Sequence, residues 1–267
     1  MGIFEAIALG IVQGLTEFLP VSSSGHLVLM QKIFGTAALE GTTNPQLLFF
    51  DTMLHIGTLI AVVVVLWKDI LGLFRRPLNT LLYLIIATIP AVIFTVFLSD
   101  FIETAFGGGY LGFGFLLTAL LLVVSELIAK RVGNRRQLRL GSATVMGIMQ
   151  AIAIMPGVSR SGSTLAGGLA CGVERQKTAR FAFLMSIPAI IGGALYNGYD
   201  AITSEGLTIQ WAPMLLGMAC AAITGYIAIR FMLALISRKR LWGFAIYVAA
   251  VGIFVLLDQY ILHTINW

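Results

Sequence analysis

Charged side chains are scarce in this sequence. They fill 11% of positions, where a soluble domain carries about 25%. With 58% of residues hydrophobic, the chain cannot cover a folded surface with polar groups. A bilayer is the medium that suits it. Cysteine is almost absent: Cys171 and Cys220 both stand in apolar stretches, as small buried hydrophobes do, and give no disulfide framework. The three histidines show no ligand spacing with a nearby carboxylate, and there is no GxxxxGK[ST] loop, so no metal or nucleotide signature is expected. No Lys or Arg precedes Lys32, so the opening segment does not read as a secretory leader, which begins basic. The net charge of +5 does not argue for nucleic acid, because the basic residues sit in short loops between apolar runs.

Six apolar runs approach the ~20 residues of a spanning helix. They are Leu47–Leu66, Asn79–Leu98, Leu111–Ala129, Phe181–Tyr199, Trp211–Phe231 and Trp242–Ile261. Two further apolar regions, Gly2–Phe34 and Ser142–Gly172, are broken in the middle. The first break runs from Pro20 through Ser22, Ser23, Ser24 and Gly25 to His26. The second runs from Pro156 and Gly157 through Ser159, Arg160, Ser161, Gly162 and Ser163 to Thr164.

Lys and Arg concentrate in cytoplasmic loops. One loop holds Lys68, Arg75 and Arg76, and the next holds Lys130, Arg131, Arg135, Arg136 and Arg139. Arg175, Lys177 and Arg180 form a third; Arg230, Arg238, Lys239 and Arg240 form a fourth. The opposing loops hold Glu40, Asp100, Glu103, Asp200 and Glu205 without any Lys or Arg. Threading the chain through these assignments leaves Ser142–Gly172 inside at both ends and Gly2–Phe34 outside at both ends. Each is therefore expected to be a re-entrant hairpin. Gln13 and Gly10 keep the same register to the first break as Gln150 and Gly147 keep to the second. The expected architecture is all-α: one polytopic membrane domain over 1–267 with six transmembrane helices and two re-entrant hairpins. It forms an inverted-topology repeat of 1–130 and 140–267, with both termini outside. Such repeats place broken helices and their site near the midplane.

Gln13 and Glu17, four apart, share a helical face, and Gly10 and Gly14 beside it permit close approach of another backbone. Glu17 reads as a buried acid facing a cavity, against the competing reading of a surface carboxylate. Ser22, Ser23 and Ser24 start a helix, whose free N–H groups attract anions, although serines there also serve as plain caps. His26 beside them suggests proton transfer or activation of a hydroxyl. Arg160 and Lys32 are the only basic residues outside the basic loops. Buried, Arg160 needs a carboxylate or an anionic ligand, and its fork suits phosphate oxygens. Gly157 and Gly162 would let the loop wrap an anion, with Ser159, Ser161, Ser163 and Thr164 as donors. A purely structural Arg160–Glu17 ion pair is the rival reading. Asp51 and His55 read equally as cavity-lining or interfacial. Tyr260, His263 and Trp267 suggest an interfacial anchor, and Gly192 and Gly193 close helix packing.

Both breaks resemble the signatures of the undecaprenyl-diphosphatase family, also known for bacitracin resistance. The first family motif is [E/Q]-x-x-x-E followed by P-V-S-S-[ST]-G-H, matched here from Gln13 through Glu17 and Pro20 to His26. The second, P-G-x-S-R-S-x-x-T, is matched from Pro156 to Thr164. The resemblance implies hydrolysis of undecaprenyl diphosphate to the monophosphate, recycling the lipid carrier of bacterial cell-wall synthesis in the plasma membrane. It implies essential roles for Glu17, Ser23, His26 and Arg160, with Ser22, Ser159 and Thr164 in support. Gln13 replaces the variable first acid with an amide, which weakens any proton or cation role there. A divalent cation, Mg2+ or Ca2+, is implied by the resemblance alone. In the expected mechanism the diphosphate enters from the outer side and Arg160 clamps its terminal phosphate. Ser23 or a water attacks, while His26 and Glu17 handle the proton. The expected partners are the polyprenyl diphosphate and membrane lipids, with a homodimer allowed and nucleic acid not. A lipid flippase or secondary transporter is the alternative for such a repeat, and a non-catalytic membrane scaffold a weaker one.

Overall fold

The computed structural model of the chain describes residues 2–36, 44–98, 109–133, 135–204, 209–237 and 240–265. Among these, the regular structure is helical, apart from one isolated parallel bridge between Arg136 and Val173. In chain order the helices are α1 (Ile3–Phe18), α2 (Ser23–Ile33), α3 (Pro45–Val65), α4 (Trp67–Leu73), α5 (Asn79–Phe97) and α6 (Leu111–Val132). They continue with α7 (Leu140–Ile152), α8 (Arg160–Ala170), α9 (Arg175–Thr203), α10 (Trp211–Ile236) and α11 (Trp242–Leu257), which runs into a π-helical turn over Asp258–Leu262. Among the described residues six helices are long and apolar enough to cross a membrane: α3, α5, α6, α9, α10 and α11 with its π turn. Large apolar side chains stay exposed along them, among them Ile85, Phe97, Leu195 and Ile246. In water such a belt would aggregate, and lipid is its natural cover.

The local reasons are ordinary ones. α3 starts at Pro45, a residue suited to a first helical position, behind Asn44, whose side-chain oxygen accepts from Gln46 and Leu47 N–H. α6 ends at Gly133, whose φ of 76° few other residues adopt readily. The spans start within two residues of where hydropathy places them, except α9, which begins at Arg175 instead of Phe181. Hydropathy marks only the part in oil, whereas ion pairs hold the polar first turns. Arg175 grips Glu126 of α6 through both oxygens at 2.8 and 2.5 Å, and Glu126 also accepts the Leu241 N–H at 2.8 Å. Arg180 pairs with Asp69 of α4 at 2.7 Å. Four basic segments thus share one end of the bundle. Glu40, Asp100, Glu103 and Glu205 of the opposing loops, like Arg238 and Lys239, lie outside the described residues.

Packing follows the small residues. α1 lies along α10, and a Cβ on Gly10 would stand 2.3 Å from the Gly217 carbonyl oxygen. One on Gly14 would stand 2.5 Å from that of Ala221. α7 lies along α5, with Gly147 in the same relation to the Ala87 carbonyl at 2.4 Å. α3 packs on both α9 and α10, and α6 on α11. Phe18 meets Phe183 edge to face at 5.6 Å in a core that also holds Phe115, Leu165 and Leu169. The expectation for Gly192 and Gly193 is corrected: a Cβ on either would meet open space, because this side of α9 faces away from its neighbouring helices. Cys171 and Cys220 are free and half-buried.

Candidate active site

The site forms where the turn between α1 and α2 meets the turn between α7 and α8. Three contacts join them. The Ser161 hydroxyl donates to the Leu19 carbonyl at 2.8 Å. Gly162 lies so close to Pro20 that an added Cβ would be 3.3 Å from the proline ring. The Arg160 guanidinium pairs with Glu17.

Glu17 is the hub. Its side chain is 3% exposed, and it takes three donors: Arg160 on one oxygen, with Gln13 Nε2 at 2.9 Å and the Ser23 hydroxyl at 2.5 Å on the other. The i, i+4 spacing delivers the Gln13 contact. The Ser23 contact exists because the chain reverses over residues 19–22 and brings the start of α2 back against the end of α1. Arg160 is the first residue of α8. Its side chain remains 21% exposed and has one further bond, from Nη1 to the Ser186 carbonyl at 3.4 Å. The ion pair considered in the sequence is therefore present. It coexists with a guanidinium that keeps an open flank and a serine hydroxyl on the same carboxylate. Charge-assisted bonds of this kind are the strong ones in a dry interior.

His26 is placed differently from expectation. Among the described residues it makes no hydrogen bond with Ser23. Its Nδ1 bonds the Ser22 carbonyl at 2.8 Å and its Nε2 the Tyr247 hydroxyl at 2.8 Å. Ser22 is buried and caps α2, accepting from the Gly25 N–H at 3.3 Å, with φ at 71°. Ser24 is half-buried next to it and takes no part in the Glu17 network.

The second turn is more occupied with itself than its composition suggests. Ser159 caps α8 by accepting from the Gly162 N–H at 3.0 Å. It lies 3.2 Å from the Ser161 hydroxyl, whose own proton goes to Leu19. Thr164 donates back to the Arg160 and Ser161 carbonyls. Ser163 is fully buried, its oxygen without a partner among the described residues. Gly157, at φ 79°, lies against α6, where a Cβ would be 2.4 Å from the Leu111 carbonyl oxygen. That close approach to α6 leaves no room for a side chain at this position. Of this turn's polar groups, Arg160 is the one that reaches Glu17.

Thr118, Tyr247 and Gln31 were missed in the sequence. Thr118, mid-span on α6, accepts the Ser159 N–H at 2.9 Å and donates to the Gly157 carbonyl. Gln31 Nε2 holds Asp51 at 2.8 and 3.1 Å, and His55 Nδ1 bonds the Asp51 carbonyl at 2.8 Å. Tyr260 and His263 are exposed at the C-terminal end, and Trp267 lies outside the described residues.

Among the described residues no three His, Cys, Asp or Glu side chains stand together as a metal cage. Both Glu17 oxygens are taken, and Asp51 is held by Gln31. Among the described residues this donor set therefore does not assemble a cage for a divalent cation.

A model of the bacitracin resistance protein BacA family matches residues 6–254. The undecaprenyl-diphosphatase of Carboxydothermus hydrogenoformans is 38% identical over 97% of this chain and 98% of its own length. That of Thermodesulfovibrio yellowstonii is 41% identical over 95% and 97%, and that of Methanosphaera stadtmanae 37% identical over 98% and 100%.

Proposed function

The chain belongs to the bacitracin resistance protein BacA family, and from that membership we propose how its two turns act on the lipid diphosphate. The protein is a multi-pass membrane phosphatase that hydrolyses undecaprenyl diphosphate to undecaprenyl phosphate and inorganic phosphate, returning the carrier to use. The observation that carries the mechanism is the 2.5 Å bond from the Ser23 hydroxyl to Glu17, whose other oxygen is paired with Arg160.

On binding, Arg160 turns its open flank to the terminal phosphate and loosens its hold on Glu17. The freed carboxylate is then the stronger base. Ser23 Oγ gives its proton to Glu17 and attacks phosphorus. The bond to the bridging oxygen breaks, and polyprenyl phosphate departs as the dianion or monoanion that the local proton supply allows. Water then attacks the phosphoserine, the Ser23 Oγ–phosphorus bond breaks, Glu17 returns its proton to Ser23 Oγ, and phosphate leaves as H2PO4− with the water's oxygen and both its protons. Positioning and charge neutralisation supply most of the acceleration in such transfers.

The membrane frame is part of the proposal. The pairs α1–α2 and α7–α8 are the two re-entrant hairpins, entering from the outer and inner faces of the bacterial plasma membrane. The halves 1–130 and 140–267 form an inverted repeat. Supporting this, exchanging the halves converts the α1–α10 pair into α7–α5, with Gly10 and Gly147 at matching contacts. The site opens outward, and both termini lie outside. A flippase would use the same frame but would not need a hydroxyl on a carboxylate. Phosphate release by purified protein in detergent tests the reading. Wild type should turn over, and Ser23→Ala should fall by about 10³-fold or more. Turnover in Ser23→Ala near that of wild type would leave water as the nucleophile and reject the serine route.

A further inference from the structure

The imidazole of His26 is tied at both nitrogens, and the ties have a direction. A carbonyl oxygen can only accept, so Nδ1 carries the proton in the 2.8 Å bond to Ser22. The ring sits edge-on to Phe115, centroids 5.2 Å apart, and nearly parallel to Tyr247 at 5.7 Å. It is 8% exposed, and among the described residues no carboxylate bonds it. An imidazolium would be poorly solvated there. The ring is then neutral, and Nε2 accepts the Tyr247 proton at 2.8 Å.

Ser22 is what this arrangement holds. Its φ of 71° and ψ of 94° form a conformation that a non-glycine residue adopts only when its surroundings enforce it. That conformation turns the chain so that Ser23, the next residue, faces Glu17. We propose that Tyr247 is a positioning residue: its hydroxyl fixes His26 as the Nδ1–H tautomer, whose proton holds the Ser22 carbonyl and thereby the turn that presents Ser23. α11 thus acts on the reaction through two hydrogen bonds in series, without touching substrate. The other tautomer would set a lone pair against the Ser22 carbonyl and leave it the His26 backbone N–H at 3.2 Å, loosening the turn. This rests on the proposed role of Ser23, but its first consequence is a proton position that can be read without turnover.

With three histidines in the chain, 15N-histidine spectra of the detergent-solubilised protein can be assigned by loss of one signal in His26→Asn. Wild type should show His26 as the Nδ1–H tautomer. Tyr247→Phe, which keeps the ring and removes the hydroxyl, should show a mixture of tautomers. Its kcat should fall about tenfold, the loss expected for one hydrogen bond, with KM unchanged. An Nε2–H or doubly protonated His26 in the wild type at neutral pH overturns the proposal, and decides it alone if Tyr247→Phe does not accumulate. So does a Tyr247→Phe enzyme whose tautomer is unmoved, whose kcat stays within twofold, or whose KM alone changes. Failure of the wild type to hydrolyse polyprenyl diphosphate would instead sink the enzymatic reading, and the tautomer comparison would still decide whether Tyr247 sets His26.

Discussion

The turns before α2 and before α8 begin from one plan and end in different states. Each has a serine cap accepting from a glycine N–H three residues on, Ser22 from Gly25 at 3.3 Å and Ser159 from Gly162 at 3.0 Å. The cap residue of the second turn is relaxed, at φ −74° and ψ 118°. That of the first is strained, at 71° and 94°. The second turn is held by direct bonds from Thr118; the first needs His26 and Tyr247. Strain therefore sits beside Ser23, and the relaxed turn carries Arg160. Two turns of one plan can differ in this way because a cap fixes the start of a helix without dictating which side chain follows it.

Removing the cation is the largest disturbance this division allows. Arg160→Ala should lower kcat/KM by at least about 10³-fold in a phosphate-release assay. Arg160→Lys, which keeps charge but loses the fork, should fall between it and wild type. If lysine restored full rate, a point charge would suffice and the planar clamp would be wrong. If alanine kept substantial activity with intact folding, Arg160 would be a structural partner of Glu17, and the second turn a scaffold only.

The arms leading into the turns sharpen the comparison through stability. Gly10 and Gly147 occupy corresponding places, and a methyl on either would press on a backbone carbonyl that cannot swing aside. Gly10→Ala and Gly147→Ala should each cost about 1–3 kcal/mol, read as a lowered thermal midpoint in detergent. Gly192→Ala, where nothing is near, should not lower it. A tolerated alanine at one of the first two positions would show that the two arms are not packed alike.

Spans and breaks were legible in the sequence because oil imposes length and hydropathy directly. The meeting of Glu17 with Arg160 was legible as well, since a lone arginine among apolar residues demands an anion. Residues whose role depends on which helices become neighbours were not. Tyr247 is one of two phenols in its apolar run, and Thr118 one of two hydroxyls in its own; neither carries a pattern until α11 and α6 are docked. In the serine-rich second turn Ser161 and Thr164 donate to carbonyls, as small polar side chains commonly do near helix ends, and which helix Ser161 would meet was not written in the composition.

The smallest effects separate stability from activity. Ser159→Ala removes a 3.0 Å cap and the adjoining contact with Ser161, so it should cost about 1–2 kcal/mol of stability. Ser22→Ala removes only a 3.3 Å cap, and the His26 bond to the residue-22 carbonyl survives, so about 0.5–1 kcal/mol is expected. The kinetic order should be the reverse. A small relaxation at residue 22 moves its neighbour Ser23 directly, whereas residue 159 acts on Arg160, whose long side chain can absorb a shift of the backbone. Melting midpoints and kcat measured on the same two preparations would make the comparison. If the variant that melts lower is also the slower enzyme, a single rigid unit spans both turns, and the division between a strained reactive turn and a relaxed binding turn fails.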